Sequence, residues 1–200
     1  MPVTYTNRQG QMYILCQGVT RAGRPHYYFA REPKGESVEQ IPEGYEIREG
    51  VNGLPFLAKV RPVLIRPDEV AKVEATVRRH PKAHNYRIDV KGDRIEVYER
   101  AGADPEELLP ALERMGAPGE RVRIVGRVRE LQEMLDQHAR FSPVLRFILV
   151  DERKRTFRAE RWCYRGSIDG WIDVRATGPL RRLARKLVPK LGTHAFFDLY

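Results

Sequence analysis

Residues 86–99, YRIDVKGDRIEVYE, constrain the fold more tightly than any other stretch. Ile88, Val90, Ile95 and Val97 alternate with polar residues at the two-residue period of a strand with one covered face. Between the apolar pairs stands Gly92-Asp93, a two-residue loop whose glycine reaches the positive φ that a tight hairpin turn requires. The turn pairs Val90 with Ile95 and Ile88 with Val97 on one face, and Asp89 with Glu96 on the other. A slip of one residue would turn every apolar side chain to water, so the pattern admits one register. The chain therefore holds an antiparallel sheet with an apolar face, and that face needs a covering layer.

Amphipathic segments follow at the helical period. PDEVAKVEATVRRH, residues 67–80, predicts a helix: Pro67 suits its first position, Asp68 and Glu69 favour the positive end of its dipole, and Val70, Val73 and Val77 share a face. DPEELLPALERMG predicts a short helix ending at Gly116, RVRIVGRV a strand, and RELQEMLDQHARF a helix with Leu131, Leu135 and His138 on one side. In GPLRRLARKLVPKLG, Leu180, Leu183, Leu187 and Leu191 form an apolar stripe opposed by Arg181, Arg182, Arg185, Lys186 and Lys190. The first sixty residues read differently, as short strands (VTYT, MYILC, HYYFA, YEIRE, PFLAKV) separated by glycine turns. With a junction marked by Pro62 and Pro67, the expectation is an α+β chain. It comprises a β-rich N-terminal module, residues 1–62, and a larger domain, residues 63–200, with antiparallel hairpins, a meander and several helices.

Composition excludes several classes. A chain of 200 residues with 42% hydrophobic and 32% charged residues can bury a core without disulfides. No apolar run approaches the ~18 residues that span a bilayer, and MPVTYTNRQG lacks the apolar centre of a signal peptide, which predicts a cytoplasmic protein without a membrane partner. Cys16 and Cys163 belong to no paired motif, and Pro81 breaks the helix that would align His80 with His84, so no metal site of Cys or His is expected. Net charge is +9, and residues 121–200 carry 18 basic against 9 acidic side chains while residues 63–120 carry 10 against 12. A field confined to one part of a chain favours an anionic partner; a general arginine background is the competing explanation.

From Val144 to Val174 the pattern predicts a three-stranded meander. A loop at residues 152–154 sets Leu145, Phe147 and Leu149 on a face with Phe157, Ala159 and Cys163. A turn at Arg165-Gly166 would place Cys163 opposite Ile168, Arg161 opposite Gly170, Ala159 opposite Ile172 and Phe157 opposite Val174. The other face then carries Arg146, Ile148, Arg158, Glu160, Trp162, Tyr164, Ser167, Asp169, Trp171 and Asp173. Arginines interleaved with aromatics suit a single-stranded nucleic acid, since every base offers a π face and every phosphate a charge. The alternative is a second buried layer in which Glu160, Asp169 and Asp173 neutralise Arg158 and Arg161 and a helix covers part of the face at Ile148. On the C-terminal helix, Arg181 and Arg182 near the N-terminus oppose the dipole, whereas bound phosphate would reverse that sign.

The segment TNRQGQMYILCQGVTRAGRPHYYFARE resembles the opening of a group of prokaryotic proteins of no known activity, some sharing a CYRGSIDGW segment near the end. The resemblance implies a common architecture over much of the chain and transfers no catalytic residue. The residues favour nucleic-acid binding, to DNA or RNA, through the basic region 121–190, with Arg146, Arg158, Trp162, Tyr164, Trp171, Arg181, Arg182, Arg185 and Lys186 in contact. One alternative is a metal-dependent nuclease of the PD…DxK kind built from Asp68, Asp89, Lys91 and Glu96; a divalent metal is the only cofactor considered, and only in that case. The motif is inexpensive, because an acidic residue two before a lysine recurs at Glu32 and Glu152. Asp169 and Asp173 would lie about 13 Å apart on a strand, too far to share an ion. A protein-interaction module is the third possibility.

Overall fold

The computed structural model describes residues 1–32, 35–102, 104, 135, 139–164 and 169–199. The helix predicted to end at Gly116, the strand predicted at residues 121–128 and the Arg165-Gly166 turn lie outside the described residues, apart from Asp104. The chain divides into two compact units, Met1–Pro62 and Val63–Tyr200.

The first unit is all β among its described residues. Strand β2 (Met12–Val19) pairs antiparallel with β3 (Pro25–Ala30) along one edge. Its other edge is shared by β1 (Thr4–Thr6) and β4 (Glu36–Ser37) in succession. The hairpin of β5 (Tyr45–Glu49) and β6 (Pro55–Lys59) completes it. Buried Asn7 ties the two parts together: its Oδ1 accepts the N–H groups of Gln9 and Gln11 at 3.0 and 2.8 Å, and its Nδ2 donates to the Gly53 carbonyl at 2.7 Å.

The second unit is a five-stranded antiparallel sheet in the order β11-β10-β9-β8-β7, and the chain is α+β. Its strands are β7 (Tyr86–Lys91), β8 (Arg94–Ala101), β9 (Arg140–Asp151), β10 (Thr156–Cys163) and β11 (Gly170–Pro179). The β7–β8 hairpin has the register set by Gly92-Asp93: Val90 faces Ile95, Ile88 faces Val97 and Asp89 faces Glu96. Ile95, Val97, Leu145, Phe147, Phe157 and Ala159 project from the sheet into the core. Helices α1 (Pro67–Val77) and α2 (Leu180–Leu187) cover them with Val73, Val77, Leu180, Leu183 and Leu187, and a short α3 (His194–Phe197) adds Phe196. No helix among the described residues is long and apolar enough to cross a membrane.

Three expectations need correction. Arg140 and Phe141, predicted as the end of a helix, belong to β9 instead, and the rest of that predicted helix lies outside the described residues apart from Leu135 and Ala139. Pro143 is tolerated inside that strand because it sits beside a register shift, Val97 pairing with Leu145 and Tyr98 with Pro143. The β9–β10 pairing follows expectation, with Phe157 opposite Leu149, Ala159 opposite Phe147 and Arg161 opposite Leu145. The β10–β11 pairing does not: Cys163 faces Gly170 and Arg161 faces Ile172, and past an irregularity at Ala159/Glu160, Ala159 faces Ala176 and Phe157 faces Gly178. The displacement is even, so every side chain keeps its predicted face. It is two residues at Cys163 and grows to four past the irregularity, where Arg175 takes φ 51° and donates its N–H to Asp173 Oδ1 at 2.7 Å. Cys163, expected in the core, is half-buried. Arg161 is fully covered and donates through Nε to the Leu199 carbonyl at 3.0 Å.

Glu69, expected only to favour a dipole, anchors α1 to the β9–β10 turn. Its Oε2 accepts the Arg66 N–H at 2.9 Å, and its Oε1 accepts Arg155 Nε at 2.9 Å. Arg155 also donates to the Leu64 carbonyl at 3.1 Å and holds φ 49° to do so. Burial alone would push the Glu69 carboxyl up; the bonds from Arg155 and the Arg66 amide outweigh it and hold the group below the usual glutamate range. A depressed folded-state pKa contributes stability that is complete above the ordinary glutamate value and lost as pH falls through the depressed one. Glu69→Ala is expected to cost about 2 kcal/mol near neutrality, with the gap to the unsubstituted protein closing below about pH 4, in urea denaturation followed by circular dichroism.

Candidate nucleic-acid interface

The register aligns one ionisable side chain from each strand on the face turned away from the helices: Asp89, Glu96, Arg146, Glu160 and Asp173. Arg146 stands in the middle of the row, between two glutamates. Its Nε donates to Glu160 Oε2 at 2.7 Å, and its guanidinium lies 4.2 Å from the centre of the Trp171 ring. Arg158 meets Glu160 Oε1 at 2.8 Å and lies 3.9 Å from Asp173 Oδ2. Glu160 is buried, so one carboxylate serves two guanidiniums away from water. Trp162 sits directly opposite Trp171, their rings 5.2 Å apart at 80°, and Tyr164 meets Trp162 at 6.1 Å and 70°.

The structure thus brings Arg146, Arg158, Trp162, Tyr164 and Trp171 together on the expected face, but in a form ill suited to stacking bases. Both tryptophans are half-buried and only Tyr164 is exposed. The two arginines already hold carboxylates, and the open face of Trp171 is already occupied by Arg146. Edge-to-face aromatic packing and an ion network are the means by which a sheet face closes on itself.

At the other end of the row, Lys91 relieves the like-charge pair of Asp89 and Glu96. Its Nζ donates to Glu96 Oε2 at 2.7 Å and to the Tyr98 hydroxyl at 2.6 Å, and lies 4.0 Å from Asp89 Oδ2. Burial pushes the Tyr98 hydroxyl up to about 12, helped by its own hydrogen bond to Glu96. Burial opposes the Lys91 ammonium, yet its bonds to Glu96 and Tyr98 hold it above its ordinary range. Asp68 is not part of this group: it lies in the first turn of α1, in the layer on the sheet's opposite face, with Lys72 Nζ at 2.6 Å. Among the described residues no three His, Cys, Asp or Glu side chains are placed to hold a metal ion.

Helix α2 differs from both. Leu180, Leu183, Ala184 and Leu187 are buried, whereas Arg181, Arg182, Arg185 and Lys186 are exposed and line a shallow depression beside Pro179. None of the four has an acidic partner among the described residues. Pro179 at the N-cap leaves the first-turn N–H groups without a side-chain acceptor.

No protein-family model, curated protein or solved structure matches the chain. Sequence reasoning missed the double engagement of Glu160, which the predicted Arg158–Glu160–Trp162 face already contained, and a polar cavity around Asn85, which draws on residues from separate elements and leaves no local pattern. Removing the shared carboxylate tests the network: Glu160→Ala should lower stability by about 3 kcal/mol, because two guanidiniums lose their counter-charge, and an unchanged urea midpoint would mean that water already screens them.

Proposed function

We infer that this protein binds nucleic acid through the exposed face of α2, with the phosphate backbone as the feature recognised. The observation that carries this is the contrast within one unit: the sheet arginines Arg146 and Arg158 are neutralised by Glu160 and Asp173, while Arg181, Arg182, Arg185 and Lys186 have no acidic partner among the described residues. Spacings of one, four and five residues keep the four cations on one side of the helix. They span about 7.5 Å of helix axis, over which a nucleic-acid duplex presents roughly four phosphate charges. Two guanidiniums at a helix N-terminus cost a few tenths of a kcal/mol each in the free protein, a sign that an arriving phosphate reverses. Arginine and lysine engage phosphate oxygens whatever the neighbouring base, so this reading is led by charge.

Fluorescence anisotropy with a labelled oligonucleotide over a range of salt concentrations tests the assignment. Affinity should fall with salt, and replacing Arg181, Arg182 and Arg185 with Gln should reduce the log–log slope by about 2–3 units without loss of folding stability. A triple variant with an unchanged slope would remove α2 from the interface. Trp162→Ala provides the complementary outcome: a cost of about 2–3 kcal/mol in folding with oligonucleotide affinity retained, as befits a ring packed on the closed sheet face.

A further inference from the structure

A cavity of about 490 Å³ lies where the turn after α1, the end of β8 and the segment after α2 converge. It is apart from the α2 face, and its lining carries the carboxylates of Glu99 and Asp104 and the amide of Asn85 beside Lys82 and Arg100. Asn85, 9% exposed, donates through Nδ2 to Asp104 Oδ2 at 2.6 Å. That bond fixes the amide's orientation, since the reversed amide would set two acceptors against each other. Asn85 Oδ1 is then left buried without a donor. Asp104 is itself buried, with its other oxygen 3.0 Å from His84 Nε2. Across the cavity, Glu99 Oε1 accepts the Tyr86 hydroxyl at 2.8 Å. Burial, then Glu99, then the charge of Asp104 all push the Tyr86 hydroxyl up.

The surroundings do not meet the Asn85 acceptor. His80 uses Nδ1 to accept the Lys82 N–H at 3.1 Å, so its proton sits on Nε2, which faces the Leu191 carbonyl at 3.3 Å. Arg100 donates to the Leu135 carbonyl at 2.9 Å, and Lys82 Nζ stands 3.9 Å from Asp104 Oδ2 at the exposed rim. Buried acceptors without donors are rare, and one lining a cavity points to a group that arrives with its own hydrogen. An N–H of a bound molecule is such a group.

We propose that this cavity binds a small organic molecule bearing a primary ammonium, which donates to Asn85 Oδ1 while Glu99 and Asp104 supply the counter-charge. The proposal is separate from phosphate recognition on α2, and its ligand is of opposite sign. Isothermal titration of the full chain with putrescine, tetramethylammonium and acetate tests it. Putrescine should bind saturably; tetramethylammonium, which carries the charge without an N–H, should bind at least tenfold more weakly; acetate should not bind. Glu99→Gln, which keeps an acceptor for Tyr86, should weaken putrescine at least tenfold, as should Asn85→Leu; if the latter fails to fold, Glu99→Gln decides. No saturable putrescine binding at millimolar concentration would mean that water alone occupies the cavity and would overturn the proposal. So would equal affinity for tetramethylammonium, or affinity unchanged in Glu99→Gln.

Discussion

In the five-stranded sheet the fate of each side chain depends on strand parity, and the Gly92-Asp93 turn sets that parity at one end. With Val90 held opposite Ile95, the pleat sends Ile95, Val97, Leu145, Phe147, Phe157 and Ala159 toward α1 and α2. The same alternation sends Asp89, Glu96, Arg146, Glu160 and Asp173 the other way, where they meet as a row. Burying the apolar set is the main source of stability, at ~25 cal/mol for each Å² removed from water. The ionic row follows from the register that burial selects. It is arranged so that Lys91 and the two arginines separate what would otherwise be adjacent carboxylates.

That arrangement explains why basic residues in two places have different consequences. A guanidinium beside a buried carboxylate has its charge cancelled over a few ångströms, so the far field of Arg146 and Arg158 is small. On α2 the apolar stripe consumes one side of the helix and the sequence places no acid on the other. The charges there project into water, where their range is about the Debye length, ~8 Å at physiological salt. The excess of basic residues in the last 80 positions is thus an averaged quantity, and only part of it is available to a partner.

Local pattern made much of this legible. The β7–β8 register, the faces of β9 to β11 and the leucine stripe of α2 all follow from periodicities of two and 3.6 residues, which need no knowledge of distant contacts. The exact β10–β11 pairing was not legible: it is displaced already at Cys163–Gly170, and again where Arg175 adopts a positive φ that its residue type does not advertise. Parity survived that error, and so did the membership of the tryptophan face. Exposure of that face was beyond reach: it rests on Arg146 reaching both Glu160 and Trp171 from neighbouring strands. Glu69 shows the same limit. A glutamate three residues after Arg66 reads as a helix-start residue, and nothing nearby in sequence announces Arg155, 86 positions away.

Asn85 belongs to the class of residue that sequence patterns hide most completely. It precedes β7 in a 3-10 turn, Ala83–Asn85, where an asparagine reads as ordinary turn chemistry. Its amide is nonetheless buried and oriented by Asp104, which lies 19 positions later and outside the sheet. A turn asparagine that served only the backbone would satisfy its oxygen locally with a neighbouring N–H, as Asn7 does with those of Gln9 and Gln11. The two asparagines share a residue type and are both buried, but the oxygen of Asn7 accepts two N–H groups and that of Asn85 accepts none. That difference separates a structural clamp from a wall of a binding cavity.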